Sequence, residues 1–125
     1  MKRILVLDND PRVESLCDEL SVNFEVEHRT QVPDWSEVNL LDWNLLVYGS
    51  QMNLDFSELL EAEKAVQGKG DFPILVALSL GSTNLSPFRG ISQIIHYSIS
   101  RATESKLILA QIEKLFEQRE KDKSS

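Results

Sequence analysis

The chain has 125 residues, 42% of them hydrophobic, and a formal net charge of −7. That length accommodates one core but not two, and the acidic balance argues against general nucleic-acid binding, because phosphate backbones repel a surface without a basic patch. A single cysteine, Cys17, excludes an internal disulfide or a paired-thiol metal site. No run approaches the roughly 20 apolar residues that span a bilayer, and the first residues lack a long apolar signal core, so a cytoplasmic chain is expected.

"RILVLD" at residues 3–8 is a short continuous apolar run, as in a strand buried on both faces of a parallel sheet. In "NDPRVESLCDELS", Val13, Leu16, Cys17 and Leu20 recur on one helical face, and Pro11 suits the first turn. "FEVEHRT" alternates Phe24, Val26 and His28 with charged residues, the pattern of a sheet edge with one apolar face. Asp34 to Glu37 matches a capping box, which predicts a short second helix with Val38 and Leu41 inward. "LLVYG" is a further buried strand. Asp55 and Glu58 form another capping box ahead of a helix carrying Phe56, Leu59, Leu60 and Val66, stopped by Gly68 or Gly70.

"FPILVALSL" is again a buried strand, and "GSTNLSPFRG" holds too many turn formers and a proline for a long regular helix. "SQIIHYSI" reads as the last strand. "SRATESKLILAQIEKLFEQRE" is the clearest helix, with Leu107, Ile108, Ile112, Leu115 and Phe116 at helical spacing. Alternating strands and helices with continuous apolar strands predict an α/β, flavodoxin-like parallel sheet of five strands, order 2-1-3-4-5. Helices cover both faces in this reading, and the fourth is short or absent. The ordered unit is expected over residues 1–118, followed by a disordered charged tail over residues 119–125.

In such a sheet ligands bind beyond the carboxyl ends of the strands. Those ends are read as Asp8-Asn9-Asp10, Gly49-Ser50-Gln51, Leu78-Ser79-Leu80 and His96-Tyr97-Ser98. "ILVLDNDPRVESL" resembles the opening of response-regulator receiver domains, in which an acidic pair follows strand one and precedes proline and a helix. "NLLVYGSQMN" is similar to that family's strand three, "FPILVALS" to its strand four and "RGISQIIHYSI" to the segment ending in its Lys-Pro, so the resemblance runs through almost the whole chain.

The resemblance implies a site of five functional positions. An acidic pair holds Mg²⁺, a hard cation that takes oxygen ligands. An aspartate at the end of strand three attacks phosphorus while the metal neutralises charge. A Ser/Thr after strand four and a lysine after strand five hold the phosphoryl oxygens. Carried over residue by residue, the acidic pair falls on Asp8 and Asn9, and the nucleophile on Gly49, which has no side chain. The hydroxyl falls on Leu78, or on Ser79 if the strand slips by one, and the lysine falls on Tyr97 with Ser98 in place of proline. Ser50 lacks a neighbouring base and is a poor substitute nucleophile.

This pattern implies a degenerate receiver, a pseudo-receiver that keeps the scaffold and has lost phosphorylation. It is expected to be non-catalytic, without metal or cofactor, and to act as a phosphorylation-independent protein-interaction module in bacterial two-component signalling. The alternative is a small-ligand sensor using the vacated acidic pocket formed by Asp8, Asn9, Asp10, Gly49, Leu78, Ser79 and Tyr97. Asp8 and Asp10 offer oxygens to a cation, but Asp10 equally serves as a helix cap.

"LGSTN" lacks the lysine and following helix of a phosphate loop and reads as an ordinary loop. His28 and His96 are too few for a metal site, Cys17 reads as a core thiol, and Trp35 and Trp43 as core anchors. The expected contact surface, for a partner or a second copy, is the strand 5/helix 5 face: Phe88, Arg89, Ile91, His96 and Tyr97. An uncovered sheet edge beside apolar side chains favours pairing with another chain.

Overall fold

A computed structural model describes residues 1–52, 54–79 and 96–124. Five parallel strands form one sheet in the order β2-β1-β3-β4-β5: β1 Arg3–Leu7, β2 Glu25–Arg29, β3 Leu45–Gly49, β4 Ile74–Ser79 and β5 His96–Ser100. Three α-helices stand among the described residues: α1 Val13–Ser21, α2 Phe56–Val66 and α3 Ser105–Ser124. The α/β fold and the strand order expected from the sequence are those observed. The expected short or absent fourth helix, the loop around Phe88 and the start of the fifth strand lie outside the described residues.

β1, β3 and β4 carry continuous apolar runs, Ile4–Leu7, Leu45–Tyr48 and Ile74–Leu78, because they are covered on both faces. On one side Ile4, Val6, Val47 and Val76 meet Leu16 and Leu20 of α1 and Ile108, Ile112 and Phe116 of α3. On the other, Leu5, Leu7, Leu46 and Leu75 meet Trp35, Leu40, Trp43, Phe72 and Leu59 of α2. Each side chain of leucine size withdrawn in this way contributes about 1.5–3 kcal/mol. Leu107, expected inward, is instead exposed on α3.

Asp55 caps α2, its carboxylate accepting the N–H groups of Ser57 and Glu58 at 3.0 and 3.2 Å. Gly68, at φ 81°, takes the left-handed conformation that ends the helix, an angle costly for any residue with a Cβ.

Three expectations need correction. The predicted second helix is two separate 3-10 turns, Trp35–Glu37 and Leu40–Asp42. Asp34 accepts the N–H of Ser36 and Asn39 that of Leu41, so side chains close each turn after three residues in place of continued helical bonding. Leu40 rather than Leu41 is the buried residue.

The last helix begins at Ser105, not Ser100, because residues 101–103 form a turn in which Thr103 N–H donates to the Ser100 carbonyl at 3.0 Å. That helix also continues to Ser124, through the segment expected as a disordered tail. Arg119 donates to the Phe72 carbonyl and Lys2 pairs with Glu120 at 2.9 Å, which ties the charged end to the sheet. Among the described residues no helix is long and apolar enough to cross a membrane.

Candidate functional site at the strand ends

β1 delivers Asp8 to the carboxyl end of the sheet with its side chain fully buried, a costly place for a charge without partners. Its partners are all present. Arg101 Nη1 lies 2.8 Å from Asp8 Oδ2, with the arginine only 8% exposed. Asp8 Oδ1 accepts Gln51 Nε2 at 2.8 Å and the Asp10 N–H at 3.1 Å. Gln51 joins the two sides: Arg101 Nη2 donates to Gln51 Oε1 at 3.0 Å, and Gln51 Nε2 also donates to Asn9 Oδ1 at 2.7 Å. His28 Nε2 lies 2.8 Å from the Asp8 carbonyl oxygen and fixes the strand end from β2.

Asp10 is held from outside. Its carboxylate takes Arg12 Nη2 at 2.7 Å and Nε at 3.1 Å, and accepts the Arg12 N–H at 2.9 Å, which closes the turn leading into α1. Arg101 Nη1 approaches the same group at 3.7 Å. These hydrogen bonds from Arg12, with Arg101 assisting, push the Asp10 carboxyl far below the ordinary carboxylate range. Two carboxylates and two guanidiniums thus close a network without net charge.

Gly49 ends β3 against this network. A Cβ at that position would stand 2.5 Å from Asp8 Oδ1, 2.6 Å from Gln51 Oε1 and 2.7 Å from Arg101 Nη2. The space of an aspartate side chain is therefore already taken. The residues also do not fit Mg²⁺: the Asp8 oxygens carry Arg101 and Gln51, Asn9 carries Gln51, Asp10 carries Arg12, and the Asp8 charge is already met by the Arg101 guanidinium. Among the described residues no group of three or more His, Cys, Asp or Glu is placed to hold a metal ion.

The structure brings together Asp8, Asn9, Asp10 and Gly49 of the sequence-derived site and adds Arg101, Gln51 and Arg12. Ser79 closes β4 and is nearly buried at the same end; its carbonyl accepts the Arg101 N–H at 2.9 Å. Leu78 sits level with Gly49 and turns into the core beside Leu16 and Ile99.

Tyr97 does not belong here. It pairs with Val76, partway along β4, and is 39% exposed, whereas β5 runs on to Ser100. The residue that follows strand five is Arg101, so a cation does stand at the position first given to Tyr97. Arg101 and Gln51 bond into the space between Asp8, Asn9 and Gly49, and a cavity of about 670 Å³ lined by Arg12, Leu16, Leu78 and Arg101 opens beside them. Of the expected contact residues, Phe88, Arg89 and Ile91 lie outside the described residues, and His96 opens β5.

No protein-family model and no curated protein matches the chain. Its fold does match solved structures. DrrB, a Thermotoga maritima response regulator homologous to OmpR/PhoB, superposes with a TM-score of 0.67 at 16% identity over 95% of this chain and 54% of its own, so this chain spans about half of it. A CheY-like response regulator receiver domain protein from Methanospirillum hungatei gives 0.64 at 20% identity over 98% of both chains. HP1043, an orphan response regulator of H. pylori, gives 0.65 at 14% identity over 90% of this chain and 94% of that one. At these identities the likeness is one of architecture: the 2-1-3-4-5 sheet of this chain has the fold of response-regulator receiver domains.

Proposed function

We propose that the chain is a pseudo-receiver, a non-catalytic, phosphorylation-independent module of bacterial two-component signalling that works through contact with another protein. One observation carries this reading. Where a receiver presents an aspartate to phosphorus, this chain has Gly49 packed against an Asp8–Arg101–Gln51 network whose side-chain ends stand where a Cβ would be. A phosphoryl acceptor is missing and its surroundings are held by an internal ion pair.

The contact surface is proposed on the face of β5 and the final helix, α3, which is the strand 5/helix 5 face of the sequence reading. Support comes from Tyr97, exposed on the last strand of the sheet, and Leu107, exposed on α3, two of the few exposed large apolar side chains among the described residues. Phe88, Arg89, Ile91 and His96 remain part of that proposal by sequence. Tyr97→Ala is expected to weaken self-association or partner capture while leaving the melting temperature nearly unchanged.

The function is tested by incubation with acetyl phosphate and Mg²⁺, followed by intact mass and a ¹H–¹⁵N spectrum with and without beryllium fluoride. An unchanged mass and spectrum are expected. A phosphoryl adduct, or fluoride-dependent shifts around residues 8, 49 and 101, would overturn the reading.

A further inference from the structure

Parallel strands are joined by crossovers that usually carry an α-helix. Between β2 and β3 this chain has only the two 3-10 turns, and beside the first of them an open groove of about 440 Å³ runs against α2. Trp35, Val38, Leu40, Ala62, Ala65 and Val66 supply its apolar lining. Its charged lining residues are Asp34, Glu58 and Glu61, with no lysine or arginine. Among the described residues none of the three carboxylates is in an ion pair, and Asp34, bonded to Ser36, is held in the ionised form.

A second, independent observation comes from Trp35. The residue is 4% exposed, and its indole N–H is the buried side-chain donor without an acceptor among the described residues. Buried donors are nearly always paired, and this orphan belongs to a residue that lines the groove.

We propose that this groove binds a short basic peptide segment of a partner protein, with an aliphatic side chain on the apolar lining beside Trp35 and lysine or arginine between Asp34, Glu58 and Glu61. The volume lies in the range of sites that enclose a few side chains. The charge picks the partner: three unpaired carboxylates repel an acidic or phosphorylated segment and attract a basic one. The proposal rests on the reading of the chain as a protein-contact module, but concerns a different face from β5 and α3.

The chain has two tryptophans, so its ¹H–¹⁵N spectrum carries two indole peaks, and Trp43→Phe assigns that of Trp35. Titration with acetyl-Leu-Arg-Leu-Lys-amide is expected to shift the Trp35 indole peak and the amides of residues 34–38 and 58–66 saturably. Acetyl-Leu-Glu-Leu-Glu-amide should shift neither. Glu58→Gln with Glu61→Gln, both at exposed positions, should weaken binding about fivefold or more, as should raising the salt to about 0.5 M.

Equal shifts from arginine amide alone would mean a small-cation site and overturn the peptide proposal. So would shifts that stay unsaturated, or that survive both the double substitution and high salt. If the variant fails to fold, the salt arm in the wild type decides. A phosphoryl adduct in the mass experiment would refute the pseudo-receiver reading without touching these shifts, so the two failures are distinguishable.

Discussion

Replacing Arg101 with alanine leaves the Asp8 carboxylate fully buried with its closest cation gone. Asp8 Oδ1 keeps Gln51 and the Asp10 N–H, but Oδ2 loses its 2.8 Å partner and Gln51 loses its link to the far side. Breaking a buried pair from one side typically costs about 3–5 kcal/mol, because an uncompensated charge remains. That is a large share of the roughly 5–15 kcal/mol that holds a domain together. With a urea slope near 1.5 kcal/mol/M, the midpoint should fall by about 2–3 M.

Equilibrium urea unfolding followed by tryptophan fluorescence measures this directly. The control is Asp8→Asn, alone and combined with Arg101→Ala, the double variant removing both charges. Its loss should be well below the sum of the two single losses, giving a coupling of about 1–3 kcal/mol. A loss near or below about 1 kcal/mol for Arg101→Ala, the value of an exposed ion pair, would show that water screens the pair. The account of the closed strand ends would then fail.

Gly49→Asp brings a Cβ to within 2.7 Å or less of Asp8, Gln51 and Arg101, so it should destabilise the fold by about 1–3 kcal/mol in urea and still acquire no phosphoryl group from acetyl phosphate; phosphorylation of this single variant would show that the network yields easily. Asp10 has a lowered pKa when folded, so its stabilising contribution is present above the ordinary value of 3.8 and is lost as the pH falls towards the folded value. The difference in urea midpoint between wild type and Arg12→Ala should therefore be widest at neutral pH and close in acid; a constant difference would contradict the assignment. Burial pushes the Cys17 thiol up to about 11 from 9.0, which cuts its thiolate roughly 100-fold at pH 8. Alkylation of the native protein should be slower than that of the urea-unfolded chain by about tenfold or more, and equal rates would place the thiol in open solvent.

The amino-acid pattern alone dictates the sheet. Continuous apolar runs at residues 4–7, 45–48 and 74–78 are what strands covered on both faces require, and the alternation of strand and helix leaves one economical order. It also determined that β3 ends on a residue without a side chain, and that Asp8 stands at the end of β1.

Local signals reached only as far as local bonds. The Asp34–Glu37 box correctly marks a turn, but its length depended on Asn39 capping a second turn immediately after it. What occupies the site was decided by tertiary structure. Arg101 meets Asp8 across 93 residues of sequence. The apolar run before it carries no mark of where the strand stops, so the sequence reading puts the lysine position four residues too early, at Tyr97. Parallel pairing of Ser79 with Ser100 sets the end of β5, and the next side chain then has nowhere to go but into the buried carboxylate beside Gly49.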